Sequence, residues 1–313
     1  MNEVFSKVLS IILMPSRIEY LKYFREFAEQ YDVLIAEIPD IESVRRFIKG
    51  EITFNNLLYD IEYSDLEYTR AFYETLRDLY SKGVSVIPID PYGLIAMKIR
   101  VSSIIKGTLQ MPLDDYDRYI AYIEFRIGEV MRMYNSAFLR GDFDDIVRLT
   151  IKYARMDSER IKFRSELRAR EIVKRLGEVR GDVLIHADYY NEVFRDYLSA
   201  KLGCKPAVVS LFSIASKRLR IDIPQPPGLK LTLNYINKPQ TPQNTVEERT
   251  LAARTVVYVM LRSRLLRRID TIGYDKAIIA DSAILRYTYG LSYDSAKHVF
   301  HRLMMKDMFK VKI

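Results

Sequence analysis

The chain has little of what most redox and zinc sites are built from. Its 313 residues include one cysteine, Cys204, and three histidines. A single cysteine excludes an internal disulfide and favours a reducing, cytoplasmic setting. One Cys and three His also leave too few ligands for a zinc site made of those residue types alone. No run approaches the ~18 uninterrupted apolar residues that mark a membrane span, so a membrane is not an expected partner. The opening MNEVFSKVLSIILMPS has neither a basic leader nor a small-residue cleavage site, and Val8–Met14 therefore reads as a first strand rather than a signal peptide. Internal repeats and low-complexity runs are absent as well.

What the chain does have is an ordinary globular balance, 49% hydrophobic and 29% charged, on enough residues for one large domain with an appendage or for two. The net charge of +8 hides an asymmetry: residues 1–147 carry 17 Lys+Arg against 24 Asp+Glu, whereas residues 148–313 carry 32 against 17. A basic half steers toward nucleic acid, an acidic protein or another polyanion. The same charges also serve as solvated helix faces that pair with the acidic half.

Five short apolar runs organise the first two thirds: Val8–Met14, Val33–Ile38 with Glu37 inside it, Val84–Ile89 followed by Asp90, Val183–Ile185 followed by His186 and Asp188, and Ala207–Phe212. Short Val/Ile-rich runs separated by helical stretches read as buried strands of a parallel sheet, and ligands of such sheets bind beyond the carboxyl ends of the strands. Helical periodicity appears at Arg17–Tyr31, Ile41–Lys49, Asp65–Ser81, Asp115–Leu139, Asp144–Arg155, Ser158–Leu176 and Asn191–Leu202. These stretches predict an α/β domain over 1–213: a mostly parallel sheet with flanking helices and a large helical insertion at about 113–180.

Residues 214–243 hold five of the 11 prolines, clustered in Ile221–Pro242, and an alternating run at Leu229–Tyr235. An edge strand or ribbon within a linker is expected there. Residues 244–313 are expected to form a helical C-terminal domain opened by Thr245 as N-cap. Its last part, Asp275–Tyr289, Gly290-Leu291-Ser292, Tyr293–Lys306 and a short strand Phe309–Ile313, has the order of a winged helix-turn-helix. Ser292 would cap the recognition helix, with Tyr293, Ser295, Lys297, His298 and Arg302 facing a groove. A plain terminal helical hairpin fits the same pattern.

Three blocks taken together resemble the TraB, Tiki and erythromycin-esterase superfamily, which includes haem-binding ChaN-type proteins. Asp32-Val33-Leu34-Ile35-Ala36-Glu37-Ile38 is similar to the family's strand "Asp-Val-Val-Ala-Val-Glu-Leu", with Glu37 on its glutamate. Arg164, Ala169 and Ile172 stand in register with its "Arg-Asp-x-x-Met-Ala-x-x-Ile" block. His186-Ala187-Asp188-Tyr189 follows the strand that ends in "Gly-Ala-Gly-His" in the family. The resemblance covers about 8–212. It departs at both family histidines: none stands near Leu13-Met14, and Tyr189 occupies the second position, with His186 three residues early. Pro91 replaces the arginine that often follows the third strand's acid.

The resemblance implies a site in which a glutamate and histidines activate water, directly or through a metal. The residues present that could converge on such a site are Glu37, Asp90, Arg164, His186 and Asp188. Glu37, Asp90 and Asp188 could hold a hard divalent cation through oxygen ligands. Alternatively, Glu37 and Asp90 cap helices or pair with Arg164. Arg164, Arg168 and Arg175 share a helix face that could grip phosphates, and Tyr189 is a binding candidate beside them. Two functions stay open: a divergent, non-catalytic TraB-like domain with a binding or regulatory role, and a hydrolase whose site has been rebuilt at the strand ends.

Overall fold

The computed structural model describes residues 8–63, 65–106, 114–189, 192–239 and 245–310. The chain divides into two compact units, one of residues up to 122 with 161–218, the other of 123–160 with 219 onward. The middle of the expected helical insertion thus groups with the C-terminal residues rather than with the sheet.

The first unit is an α/β sheet. It begins with β1 (Leu9–Met14), a single 3-10 turn, α1 (Leu21–Ala28) and β2 (Val33–Ala36). Next come α2 (Glu42–Ile48), α3 (Phe54–Leu57), α4 (Leu66–Ser81) and β3 (Ser85–Pro88). After α5 (Pro91–Lys106), α6 (Asp115–Arg140) and α7 (Phe143–Leu176) come β4 (Val183–Asp188), α8 (Glu192–Leu202), β5 (Ala207–Ser210) and α9 (Leu211–Leu219). All five strands are parallel, in the order β3-β2-β4-β1-β5. Pro88 is tolerated because β3 is an edge strand, where a missing amide donor breaks no inner ladder.

Alternate residues of a strand face opposite sides. One face, with Ile11, Val33, Ile35, Ile185 and Ala187, packs on Ala169 and Ile172 of α7 and on Phe194 and Leu198 of α8. On the other face His186 meets Phe24 of α1 and Phe72 of α4, ring centroids 5.5 and 5.1 Å away. Helices on both faces explain why the strands are apolar runs rather than alternating ones. The chain steps from β1 through β2 to β3 toward one edge and returns through β4 to β5 toward the other. The connections leaving β2 and β4 therefore diverge and open a switch point at the carboxyl ends of those two strands.

The second unit is helical. It holds the adjoining parts of α6 and α7, followed by α10 (Pro227–Asn237), α11 (Val246–Leu266), α12 (Ile269–Ile272), α13 (Tyr274–Tyr289) and α14 (Tyr293–Lys310). Its core joins Phe143, Ile146 and Leu149 to Leu251, Val256 and Val257 of α11 and to Ala296 and Phe300 of α14. Among the described residues no helix is long and apolar enough to cross a membrane.

Three expectations are corrected. The ribbon at Leu229–Tyr235 is helix α10: Pro227 occupies its first turn, where a missing N–H costs nothing, and Leu229, Leu231, Thr232, Leu233, Tyr235 and Ile236 are all buried. Only Lys230, Asn234 and Asn237, at i, i+4 and i+7, mark an outward stripe, and the Leu-x-Leu-x alternation between them imitates a strand. The break expected after Arg155 is absent, because α7 runs unbroken for 34 residues. Within it Ser158 Oγ donates to the Arg155 carbonyl at 2.6 Å and Asp157 pairs with Arg160, so both polar side chains are satisfied inside the continuous helix. The strand expected at Phe309–Ile313 is helical through Lys310, and 311–313 lie outside the described residues.

Candidate functional site

Glu37 leaves β2 and Asp90 leaves β3; His186 and Asp188 end β4; Arg164 and Arg168 come from α7, one helical turn apart. All six meet at the carboxyl end of the sheet. Glu37 is the hub. Its Oε1 lies 3.1 Å from Arg164 Nε, and its Oε2 accepts from Arg168 Nη1 at 3.3 Å and from the Asp188 backbone N–H at 2.8 Å. Its own backbone N–H donates to His186 Nδ1 at 3.3 Å. Asp90 receives Arg164 bidentately, 3.2 Å from Nε to Oδ1 and 2.7 Å from Nη2 to Oδ2. Its Oδ1 also accepts from Gly93 N–H at 3.1 Å, which makes Asp90 the N-cap of α5.

Arg168 is fully buried, at 0% exposure. Nε donates to the Ile89 carbonyl at 2.9 Å, Nη2 to the His186 carbonyl, and Nη1 to Glu37, so one guanidinium joins the ends of β2, β3 and β4. Its plane also covers the Phe194 ring at 5.0 Å. The rigid five-donor fork of arginine suits such a junction; a lysine could not reproduce it.

The imidazole beside these carboxylates and guanidiniums is held neutral. Burial first, then the Arg168 and Arg164 charges, hold the His186 pKa down to about 3. Burial alone would lower Arg164 as well, but Asp90 and Glu37 outweigh it and raise its pKa. Arg168 goes down because burial, helped by Arg164, exceeds the pull of Glu37 and Asp90. Beside the network, Ser16 Oγ donates to Asp188 Oδ2 at 2.9 Å and shares a hydrogen bond with the Tyr68 hydroxyl. Burial, then Asp188, push the Tyr68 phenol well above its ordinary range.

The sequence-derived residues fare unequally against this geometry. Glu37, Asp90, Arg164, His186 and Asp188 do converge. As a cation site Glu37, Asp90 and Asp188 do not fit: arginines and amides occupy the Glu37 and Asp90 oxygens, and among the described residues no three Asp, Glu, His or Cys side chains are grouped to hold a metal ion. Arg168 cannot grip a phosphate, because it is buried. Arg175 is partly exposed and faces Glu171 and Glu178 at 3.8 and 3.9 Å, again not a vacant phosphate clamp. Tyr189 packs edge-on against Phe212, 4.4 Å between centroids. In the helical unit Lys297 is tied to Asp144 Oδ2 at 2.6 Å, and Tyr293 bonds the same carboxylate, so neither is free to face a groove. His298 and Arg302 are exposed, and Ser292 does cap α14, accepting from Ser295 N–H at 3.2 Å.

Tyr68 and the joining role of Arg168 escaped the sequence reading. A signal for the second was present: position 168 lies on the stripe Ile161, Ser165, Arg168, Ile172, whose other members are core residues. Nothing in the spacing singles out Tyr68.

No family model matches the chain, and no solved structure matches it. Over 294 residues it is similar to an uncharacterized protein of Archaeoglobus fulgidus, 23% identical, covering 94% of this chain and 98% of the relative.

Proposed function

We propose that this protein is a divergent, non-catalytic TraB-like domain with a binding or regulatory role, and that it contacts a polyanion, nucleic acid foremost, through its basic C-terminal half. The observation that carries the first part is the closed network: each oxygen of Glu37 and Asp90 has an arginine or amide donor. A hydrolase rebuilt on these residues would use His186 as its base. A base must be near neutral pKa to exchange protons at working pH, and His186 at about 3 is far from that. What supports the second part is a set of exposed cations in the helical unit, Arg267, Arg268, Lys276 and Arg302, which have no carboxylate partner among the described residues.

The test is fluorescence anisotropy of a labelled duplex DNA of about 20 base pairs against the full chain over a salt series. A polyanion contact gives an affinity that falls steeply as salt rises, linear in log–log form. Absence of binding at low salt, or binding insensitive to salt, would remove the nucleic-acid part of the proposal.

A further inference from the structure

The strand ends are not the only place where arginines gather in the α/β unit. On the outer side of α4, facing α2 and α3, lies an open polar cleft of about 710 Å³, within the range of small-molecule sites. Phe54 lines it, and the fully buried Phe47 lies behind in edge-to-face contact with Phe54 at 6.0 Å. Each ring carries one guanidinium: Arg70 lies 4.8 Å over Phe54 and Arg77 4.9 Å over Phe47. A guanidinium held over a ring keeps N–H donors for another partner and has already given up part of its rotamer freedom.

No carboxylate among the described residues serves as that partner. Glu74 stands four residues after Arg70 and three before Arg77, spacings at which helix ion pairs form readily. Yet among the described residues neither arginine has a carboxylate within ion-pair distance, because both have turned onto the rings instead. The third arginine of the cleft, Arg46, is paired with Glu51 at 3.4 Å, and two further carboxylates, Asp60 and Glu74, line the cleft. Seven residues of α4 separate Arg70 from Arg77, about 10 Å of helix rise. That separation suits a ligand with more than one anionic group, and the planar, bidentate donors suit phosphate.

We infer that this cleft binds a small molecule carrying more than one phosphate group, with Arg70 and Arg77 as its clamps. This site is separate from the strand-end network and does not depend on the polyanion contact of the helical unit.

Titration calorimetry of the full chain with sodium tripolyphosphate, at low ionic strength, tests it. Saturable binding is expected, with inorganic phosphate at least tenfold weaker. Arg70→Gln/Arg77→Gln should weaken tripolyphosphate at least tenfold while the urea midpoint stays unchanged. Arg70→Lys/Arg77→Lys, which keeps the charge and loses the planar fork, should fall between the two. Arg302→Gln, in the helical unit, should leave tripolyphosphate binding unaltered. No binding at millimolar tripolyphosphate, or binding equal in the wild type and the double glutamine variant, overturns the inference.

Discussion

Arg168 reaches Glu37 across the ends of three strands, with 3.3 Å between Nη1 and Oε2, and neither side chain is more than 2% exposed. A buried pair of this kind is poor evidence of net stabilisation, because desolvating both charges offsets most of their attraction. Breaking it from one side is another matter. Arg168→Met should cost about 3–5 kcal/mol in urea denaturation, since it leaves Glu37 buried with less compensation and takes the donor from the Ile89 and His186 carbonyls. The double variant Glu37→Leu/Arg168→Met should recover part of that loss. A double variant whose cost is the sum of the single costs would show that the two residues are not coupled.

His186 gives the fold a pH dependence of defined sign. Its folded pKa, about 3, lies below the ordinary 6.5, so below pH 6.5 the unfolded chain binds a proton that the folded chain does not. Its contribution is intact above about 6.5 and is lost as pH falls toward 3, by up to ~1.4 kcal/mol per pH unit. His186→Asn offers a side-chain acceptor that does not titrate in this range. Its unfolding free energy, measured between pH 7 and pH 4, should therefore fall less than that of the wild type; equal slopes would contradict the assignment.

Gly93 is fixed by Asp90 rather than by any turn. A methyl group there would stand 3.0 Å from Asp90 Cγ and closer still to Oδ2. Arg164 holds that carboxylate bidentately, so it cannot simply swing aside. Alanine normally stabilises a helix relative to glycine, but Gly93→Ala should destabilise by about 1–3 kcal/mol. A Tm equal to or above that of the wild type would mean that Asp90 is less firmly held than its contacts imply.

Much of this was legible in the residues, for a physical reason. Strands buried on both faces must be short apolar runs, and Val33–Ile38 and Val183–Ile185 could be little else. Glu37 and His186 interrupt or end those runs and Asp90 ends Val84–Ile89, so their position at the strand ends followed. What those residues do there was not legible, because partner choice depends on which face of α7 turns inward. Arg168 on a basic helix reads as a solvated or phosphate-facing charge until Ile161 and Ile172 are seen to share its side. Helix α10 is hard to read for the opposite reason: its outward stripe is three residues, Lys230, Asn234 and Asn237, set in a run whose Leu229, Leu231, Leu233 and Tyr235 alternate like a strand.

Within the helical unit the polyanion contact should not involve Lys297, whose ammonium is tied to Asp144. Lys297→Ala should leave the log–log salt slope for duplex DNA unchanged, and Asp144→Asn should cost less than about 1 kcal/mol of stability, as exposed pairs do. Arg302→Ala should reduce the slope by about 1, the value of one phosphate contact. If Lys297→Ala changes the slope and Arg302→Ala does not, the contact has been placed on the wrong face of α14.

Arginines, not a cation, hold the Glu37 and Asp90 carboxylates at the strand ends. The most direct measurement is calorimetric titration of Mn2+ and Mg2+ into the full chain, with Tm followed in parallel. No saturable heat and no rise in Tm are expected at about 1 mM metal, whereas a bound ligand at 100-fold its Kd would add ~2.7 kcal/mol. Stoichiometric binding that disappears in Glu37→Gln or Asp90→Asn would contradict it, and would return the strand ends to the status of a metal-dependent site.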